Sequence, residues 1–280
     1  MSILNTNNNT LHDDFRMCED NLPMLKEHPQ RLRNTFIMHC LSGQANITRD
    51  METFVFEQNM ELTLLPDCTI RIQHKTTDFR VRYCICSQSL FDEITHKMPS
   101  RFIDFLADAR PFKMSVPRDF EANRLYFGML QLADNDTGNI HRRQIAANTI
   151  QNFFLDIHDK EYNRLANTES KNSGPAEMLV RKFWKLVTKH CQQHRDVQWY
   201  ATQLCISTRH LSQVFRQVSN TTPKQAIDEY IALEIKIELQ STHDSIQQIA
   251  DRLNFSDQSA MGRFFRRMTG ISPSAYRLEM

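Results

Sequence analysis

The phrase "CISTRHLSQVFRQVSNTTP" at residues 205–223 returns in altered form as "NFSDQSAMGRFFRRMTGISP" at 254–273. The second halves of the two copies align at a constant offset of fifty: Leu211 with Met261, Gln213 with Arg263, Phe215 with Phe265, Arg216 with Arg266 and Pro223 with Pro273. A pattern used twice in one chain points to one structural device used twice. Each copy reads as two helices joined by a tight turn. Asp196 caps a first helix carrying Trp199, Ala201 and Leu204, and Ser245 caps its counterpart carrying Ile246, Ile249, Ala250 and Leu253. A polar residue then opens the second helix: Ser207 in one copy, Ser256 or Asp257 in the other, whose turn is one residue longer.

Helices that cross steeply after a tight turn need a small side chain where the backbones meet and an apolar i, i+4 pair over the contact. Ala201 and Ala250 supply the first; Leu211 with Phe215 and Met261 with Phe265 supply the second. The opposite face of each second helix is left for solvent or a partner. It holds Thr208, Arg209, Ser212, Gln213 and Arg216 in one copy, and Gln258, Ser259, Gly262, Arg263 and Arg266 in the other. Arg suits guanine and Gln suits adenine in a major groove. Serines at helix N-termini and nearby arginines suit phosphates. Phe215, Phe265, Tyr276 and Trp199 read as packing residues.

The ordered pattern A-x-x-L-x-I-S-x-R-H-L-S-x-x-F-R, a connecting helix "PKQAIDEYIALEIKIELQ", and I-A-x-x-L-x-F-x-D-Q-S-x-M-x-R-x-F-R-R-x-T-G-I-S-P-x-x-Y-R resembles the AraC family of transcriptional regulators. The resemblance covers residues 178–280, and it implies two helix-turn-helix units whose second helices enter successive major-groove turns, about 34 Å apart along the duplex. It implies base contacts from Thr208, Arg209, Ser212, Gln213, Gln258, Ser259 and Arg263, and phosphate contacts from Ser207, Arg216, Arg266 and Arg267. The chain departs from the family pattern in places. Asn220 stands where the second copy has Gly270, and Asn254 where the family usually has Gly; Asn tolerates a left-handed backbone. Met261 replaces an aromatic residue, and Gly262 brings no side chain to the reading face, which points to weaker or shape-based readout by the second unit.

The rest of the chain reads as an α+β unit. Residues 31–94 carry strand-like alternation: Phe79, Val81, Tyr83 and Ile85 share one face, with Arg80 and Arg82 on the other. Residues 118–165 carry helical spacing across an "NDTGN" turn and predict an antiparallel hairpin, whose Ile150, Phe153, Phe154 and Ile157 stripe is either core or a dimer surface. Together they resemble the cupin-like β-barrel and dimerisation hairpin of many AraC-family members. The expected layout is a sensory domain at 1–166, a linker at 167–177 ("NTESKNSGPAE") and an all-α DNA-binding domain at 178–280.

Charge follows the same division. Residues 176–280 hold 14 Lys/Arg against 10 Asp/Glu, and residues 1–175 hold 20 against 23, within a formal net charge of +1. No secretory signal and no apolar run of about 18 residues is present, so a cytoplasmic protein with no membrane association is expected. The seven cysteines read as reduced; Cys84 and Cys86 point to one strand face. His28, His39 and His74 are isolated, without an H-x-H pair, so no metal or other cofactor is expected, though His39 and His74 could line a pocket. Asp13 and Asp14 read as a solvated pair, and no catalytic fingerprint is present. The expected partners are double-stranded DNA and, by resemblance, a small-molecule effector, a second copy of the chain and RNA polymerase. A cupin-type small-molecule enzyme with a helical regulatory appendage is the rival reading; a protein-interaction module without a DNA role is a third.

Overall fold

Apolar–polar alternation in the first half of the chain, and the 3.6-residue period in the second, produce the two kinds of layer seen in the computed structural model, which describes residues 14–96, 98, 100–167 and 174–278. The chain divides into two compact units, Met1–Asn167 and Thr168–Met280.

In the first unit, β1 (Phe15–Asp20), β2 (Gln30–Arg31), β3 (Thr35–Ser42), β4 (Gln44–Arg49), β5 (Glu52–Glu57), β6 (Met60–Leu64), β7 (Thr69–Gln73) and β8 (Arg80–Cys86) precede α1 (Gln88–His96) and α2 (Ser100–Asp108). A short β9 (Phe112–Lys113) leads to α3 (Pro117–Asn135) and α4 (Arg142–Asn167). The strands form two antiparallel sheets, ordered β1-β8-β3-β6-β9 and β2-β7-β4-β5. Phe36, Met38, Ile47, Phe56, Ile70, Ile72, Val81, Tyr83 and Ile85 fill the space they share. Gly43 makes the β3–β4 turn at φ +66°, where an added Cβ would lie 2.7 Å from the Phe79 backbone.

The other face of the five-stranded sheet packs on helices. Cys84 and Cys86 point that way with Phe15, Met17 and Ile37, against Phe91, Phe102, Phe127 and Phe154. Burial pushes the Cys86 thiol up to about 12, so the C-x-C pair is apolar packing. Ile150, Phe153, Phe154 and Ile157 are all buried in this layer. The hairpin stripe that sequence left between core and dimer surface is core.

Three expectations are corrected. Among the described residues the strands begin at Phe15 rather than near residue 31, the continuous run of strands ends at Cys86 with the two-residue β9 following after α2, and residues 88–94 lie in α1. β1 is an edge strand whose alternation is confined to Phe15 and Met17, and the α1 stripe of Leu90, Phe91 and Ile94 is too short to declare its period. The expected 167–177 linker is shorter, because Pro175 already occupies the first turn of a helix, where its fixed φ costs nothing. Residues 168–173 lie outside the described residues. Asp14 is no solvated pair: its carboxylate accepts from Ser87 Oγ (2.9 Å) and from Arg143 Nε (2.5 Å); Asp13 lies outside the described residues.

The second unit is helical: α5 (Pro175–His190), α6 (Val197–Gln203), α7 (Thr208–Ser219), α8 (Pro223–Ser241), α9 (Ile246–Arg252), α10 (Gln258–Thr269) and α11 (Pro273–Leu278). Phe183 of α5 lies edge-on to Phe215 of α7, 4.6 Å between ring centroids, and 5.3 Å from Tyr200 of α6. Phe265 of α10 meets Tyr276 of α11 at 5.5 Å. Each fully buried Phe contributes roughly 1.5–3 kcal/mol from area burial alone. α8 runs between the two helix pairs with Ile227, Ile231 and Ile235 buried. Among the described residues no helix is long and apolar enough to cross a membrane.

Candidate nucleic-acid interface

The repeat becomes a repeat of caps and turns. The Asp196 carboxylate accepts from Trp199 N (2.9 Å), and Ser245 Oγ accepts from Gln248 N (3.2 Å) within a capping box. Ala201 and Ala250 are fully buried where the first helix of each pair meets the second. Cys205 and Asn254 then turn the chain at positive φ, with Ile206 N bonding Ala201 O and Phe255 N bonding Ala250 O. Ser207 Oγ accepts from His210 N (3.2 Å) to open α7. In α10 the cap is Asp257, whose carboxylate accepts from Ala260 N (2.7 Å); this bond holds its pKa below the ordinary value. The additional turn residue of the second copy is therefore Ser256. Both second helices end on a left-handed residue, Asn220 at φ 52° and Gly270 at φ 87°.

With Leu211, Val214 and Phe215 buried in α7 and Met261 and Phe265 in α10, the opposite faces are open. Arg209, Gln213 and Arg216 are exposed at i, i+4, i+7 spacing, and Ser259, Arg263 and Arg266 repeat that stripe fifty residues on. Gln258 and Ser207 are exposed at the N-terminal ends, while Thr208 and Ser212 are half-buried. At Gly262, the counterpart of Ser212, an added Cβ would meet nothing within 4 Å. The backbone there is open to whatever approaches.

The arginines separate into two classes. Among the described residues Arg209, Arg216, Arg263 and Arg266 form no salt bridge within the chain. Arg252 is engaged by Glu238 and Asp244. Arg267, exposed on α10, reaches Asp228 at 3.9 Å and lies 5.3 Å over the Phe264 ring. Four uncommitted guanidiniums on two parallel-built stripes attract an anion without breaking any internal contact. Arg195, which sequence reasoning passed over, sits 3.8 Å over the Phe255 ring and bonds Leu253 O. Only long-range proximity gives it a role, and no local pattern marks that. Trp199 stacks on His194 at 4.0 Å and packs edge-on to Tyr200, so it belongs to the fold.

In the first unit, His74 is exposed and His39 stands in register with Glu61 across β3 and β6. Glu61 is 2% exposed and accepts from Asn123 Nδ2 at 2.6 Å. Nearby, Lys160 pairs with Asp156 (2.8 Å) and Asp119 (3.4 Å). Burial, with the charge of Arg82 adding to it, pushes His39 down to about 4, and burial raises the Glu61 carboxyl. Among the described residues no group of three or more His, Cys, Asp or Glu side chains could hold a metal ion.

A family model described as a helix-turn-helix domain matches residues 200–279. The arabinose operon regulatory protein of Salmonella typhimurium is 25% identical over 152 residues, 54% of this chain and 51% of that one. The HTH-type transcriptional regulator Rv1931c of Mycobacterium tuberculosis is 32% identical over 77 residues, 28% of this chain and 30% of that one. Regulatory protein SoxS of Salmonella typhimurium is 27% identical over 101 residues, 36% of this chain but 94% of that one. The chain thus spans about half the length of the arabinose regulator it matches. Residues 200–279 thus carry an AraC-type helix-turn-helix domain, the part of the chain that is similar to these transcriptional regulators.

Proposed function

We propose that the chain is a sequence-specific DNA-binding transcriptional regulator that reads two adjacent major-groove turns with α7 and α10. One observation carries the reading: the repeated stripe of Arg209, Gln213 and Arg216 and of Ser259, Arg263 and Arg266, exposed on two helices built from the same caps and turns. In this reading Thr208, Arg209, Ser212, Gln213, Gln258, Ser259 and Arg263 meet base edges. Ser207, Arg216, Arg266 and Arg267 meet phosphates, Ser207 through the hydroxyl hydrogen left over from its capping role.

The dimer surface moves with the core assignment. Since the α4 stripe is buried, a second copy would dock on the outer face of α3, where Leu125, Met129 and Leu132 lie at i, i+4, i+7 spacing with exposures of 53%, 47% and 65%. Control by a small-molecule effector in the first unit, contact with RNA polymerase and a cytoplasmic site of action are supported by the family resemblance.

Binding of the purified full chain to duplex DNA, followed by fluorescence anisotropy against salt, tests the reading. Affinity should fall steeply with salt, with a log–log slope equivalent to several released counterions. No binding at low salt would instead support a protein-interaction module.

A further inference from the structure

The repeat gives each helix-turn-helix unit its own small core, which leaves open what fixes one unit against the other. α8 joins them covalently, and a closed ring of side-chain contacts adds a second tie. Arg195 lies in the segment leading to the Asp196 cap of α6, in the first unit of the pair. Its guanidinium nevertheless rests 3.8 Å over the ring of Phe255 and donates to the carbonyl of Leu253, both in the turn between α9 and α10. That carbonyl is a helix-end acceptor without an intrahelical partner. Phe255 packs on Phe264 of α10 at 5.6 Å, and Arg267 of α10 covers the same Phe264 ring at 5.3 Å. Arg267 faces Asp228 of α8 at 3.9 Å; Asp228 accepts from Lys224 Nζ at 2.7 Å. Lys224 Nζ closes the ring by donating to the main-chain carbonyl of Arg195 at 3.3 Å.

Six side chains from α8, α10 and two inter-helix segments thus form one circuit, and Arg195 is the member that carries the first unit into it. We propose that Arg195 is a positioning residue: it sets the distance and angle between α7 and α10, and so the spacing of the two DNA half-elements that one chain binds. This rests on the DNA-binding reading above. Arg195 does not itself touch DNA in this account. Its guanidinium is half-buried and spent on Phe255 and Leu253.

A duplex is an angular ruler, because each inserted base pair turns the second half-element by about 34–36° around the axis. A rigidly tied pair of helices tolerates little of that rotation; a loosely tied pair tolerates more. The test uses the full chain and a set of duplexes carrying both half-elements with two base pairs removed, none changed, or two added, beside a duplex with one half-element. For the wild type a two-base-pair change should cost roughly tenfold or more in affinity, on the scale of a badly mismatched site. Arg195→Ala should reduce that penalty to about threefold or less while binding the single half-element within about twofold of wild type. Arg195→Lys, which keeps a cation for Phe255 and a donor for Leu253 O, should restore most of the discrimination. An unchanged spacing profile in Arg195→Ala overturns the proposal, as does an equal loss on single and paired elements. If the wild type binds none of these duplexes, the DNA reading fails by itself. Hydrogen exchange then reads the tie directly: Arg195→Ala should speed exchange at residues 253–260, and unchanged exchange there overturns the coupling.

Discussion

Cys205 and Asn254 hold the same backbone position in the two helix-turn-helix units, at φ 57° and 56°, each turning the chain so that the next amide returns to the buried alanine of the first helix. Asn visits this left-handed region readily; Cys does so at a cost of about 1–2 kcal/mol. The first unit therefore carries strain that the second does not. Cys205→Gly should stabilise the second compact unit by about 0.5–1 kcal/mol, the strain relieved less the added chain entropy of glycine. Asn254→Gly should change stability by less than half of that. Urea unfolding midpoints of both variants check the contrast.

The arginines proposed for bases and those proposed for phosphates predict different binding phenotypes. Arg209→Ala should cost about 1–3 kcal/mol at one base position and relax specificity there, as seen in binding to a panel of single-base variants. Arg216→Ala should weaken binding evenly across the panel and lower the salt slope by about one. An even loss for Arg209→Ala would make that residue a phosphate contact.

The outer face of α3 predicts assembly. Replacing Leu125 and Met129 together with Gln should weaken self-association by more than roughly tenfold, the loss expected from removing two apolar contacts. Both side chains are about half exposed in the single chain, so its unfolding temperature should hold. Sedimentation velocity over a concentration series reads the first effect, and thermal unfolding the second.

Protonation of His39 predicts an acid-sensitive first unit. Its imidazole falls from an ordinary 6.5 to about 4 in the fold, so the folded chain binds fewer protons than the unfolded one across that window. Stability is then complete above about 6.5 and is lost as pH falls toward about 4. The raised Glu61 carboxyl acts in the opposite sense, its contribution being lost as pH rises through its folded value. Comparison with His39→Gln isolates the histidine: between pH 7 and pH 5 the wild type should lose roughly 1–2 kcal/mol more than the variant, after allowing for partial solvent screening. Thermal unfolding of the full chain at both pH values measures it.

What the sequence made legible was whatever chemistry is local. The caps Asp196, Ser207 and Ser245, the buried alanines and the Leu211–Phe215 and Met261–Phe265 pairs lie within a few residues of one another, so spacing alone announced them. Asp14 was misread because its partners, Ser87 and Arg143, are 73 and 129 residues away. Arg195 was missed for the same reason, its Leu253 acceptor lying 58 residues on. The stripe of α4 was ambiguous because an apolar helix face reads the same whether a sheet or a second chain covers it; Phe91 and Phe102 resolve it as core. Cys205 gave no sign at all, since nothing in its side chain favours a left-handed turn.

Enrichment of bound duplexes from a random pool by the purified full chain weighs most directly on whether α7 and α10 act as a matched pair of readers. Recovered sequences should share two short conserved blocks with centres about 10–10.5 base pairs apart, one helical turn, and a loosely specified stretch between them. A pool that stays random after repeated selection, or that converges on one short block with nothing a turn away, would contradict that account.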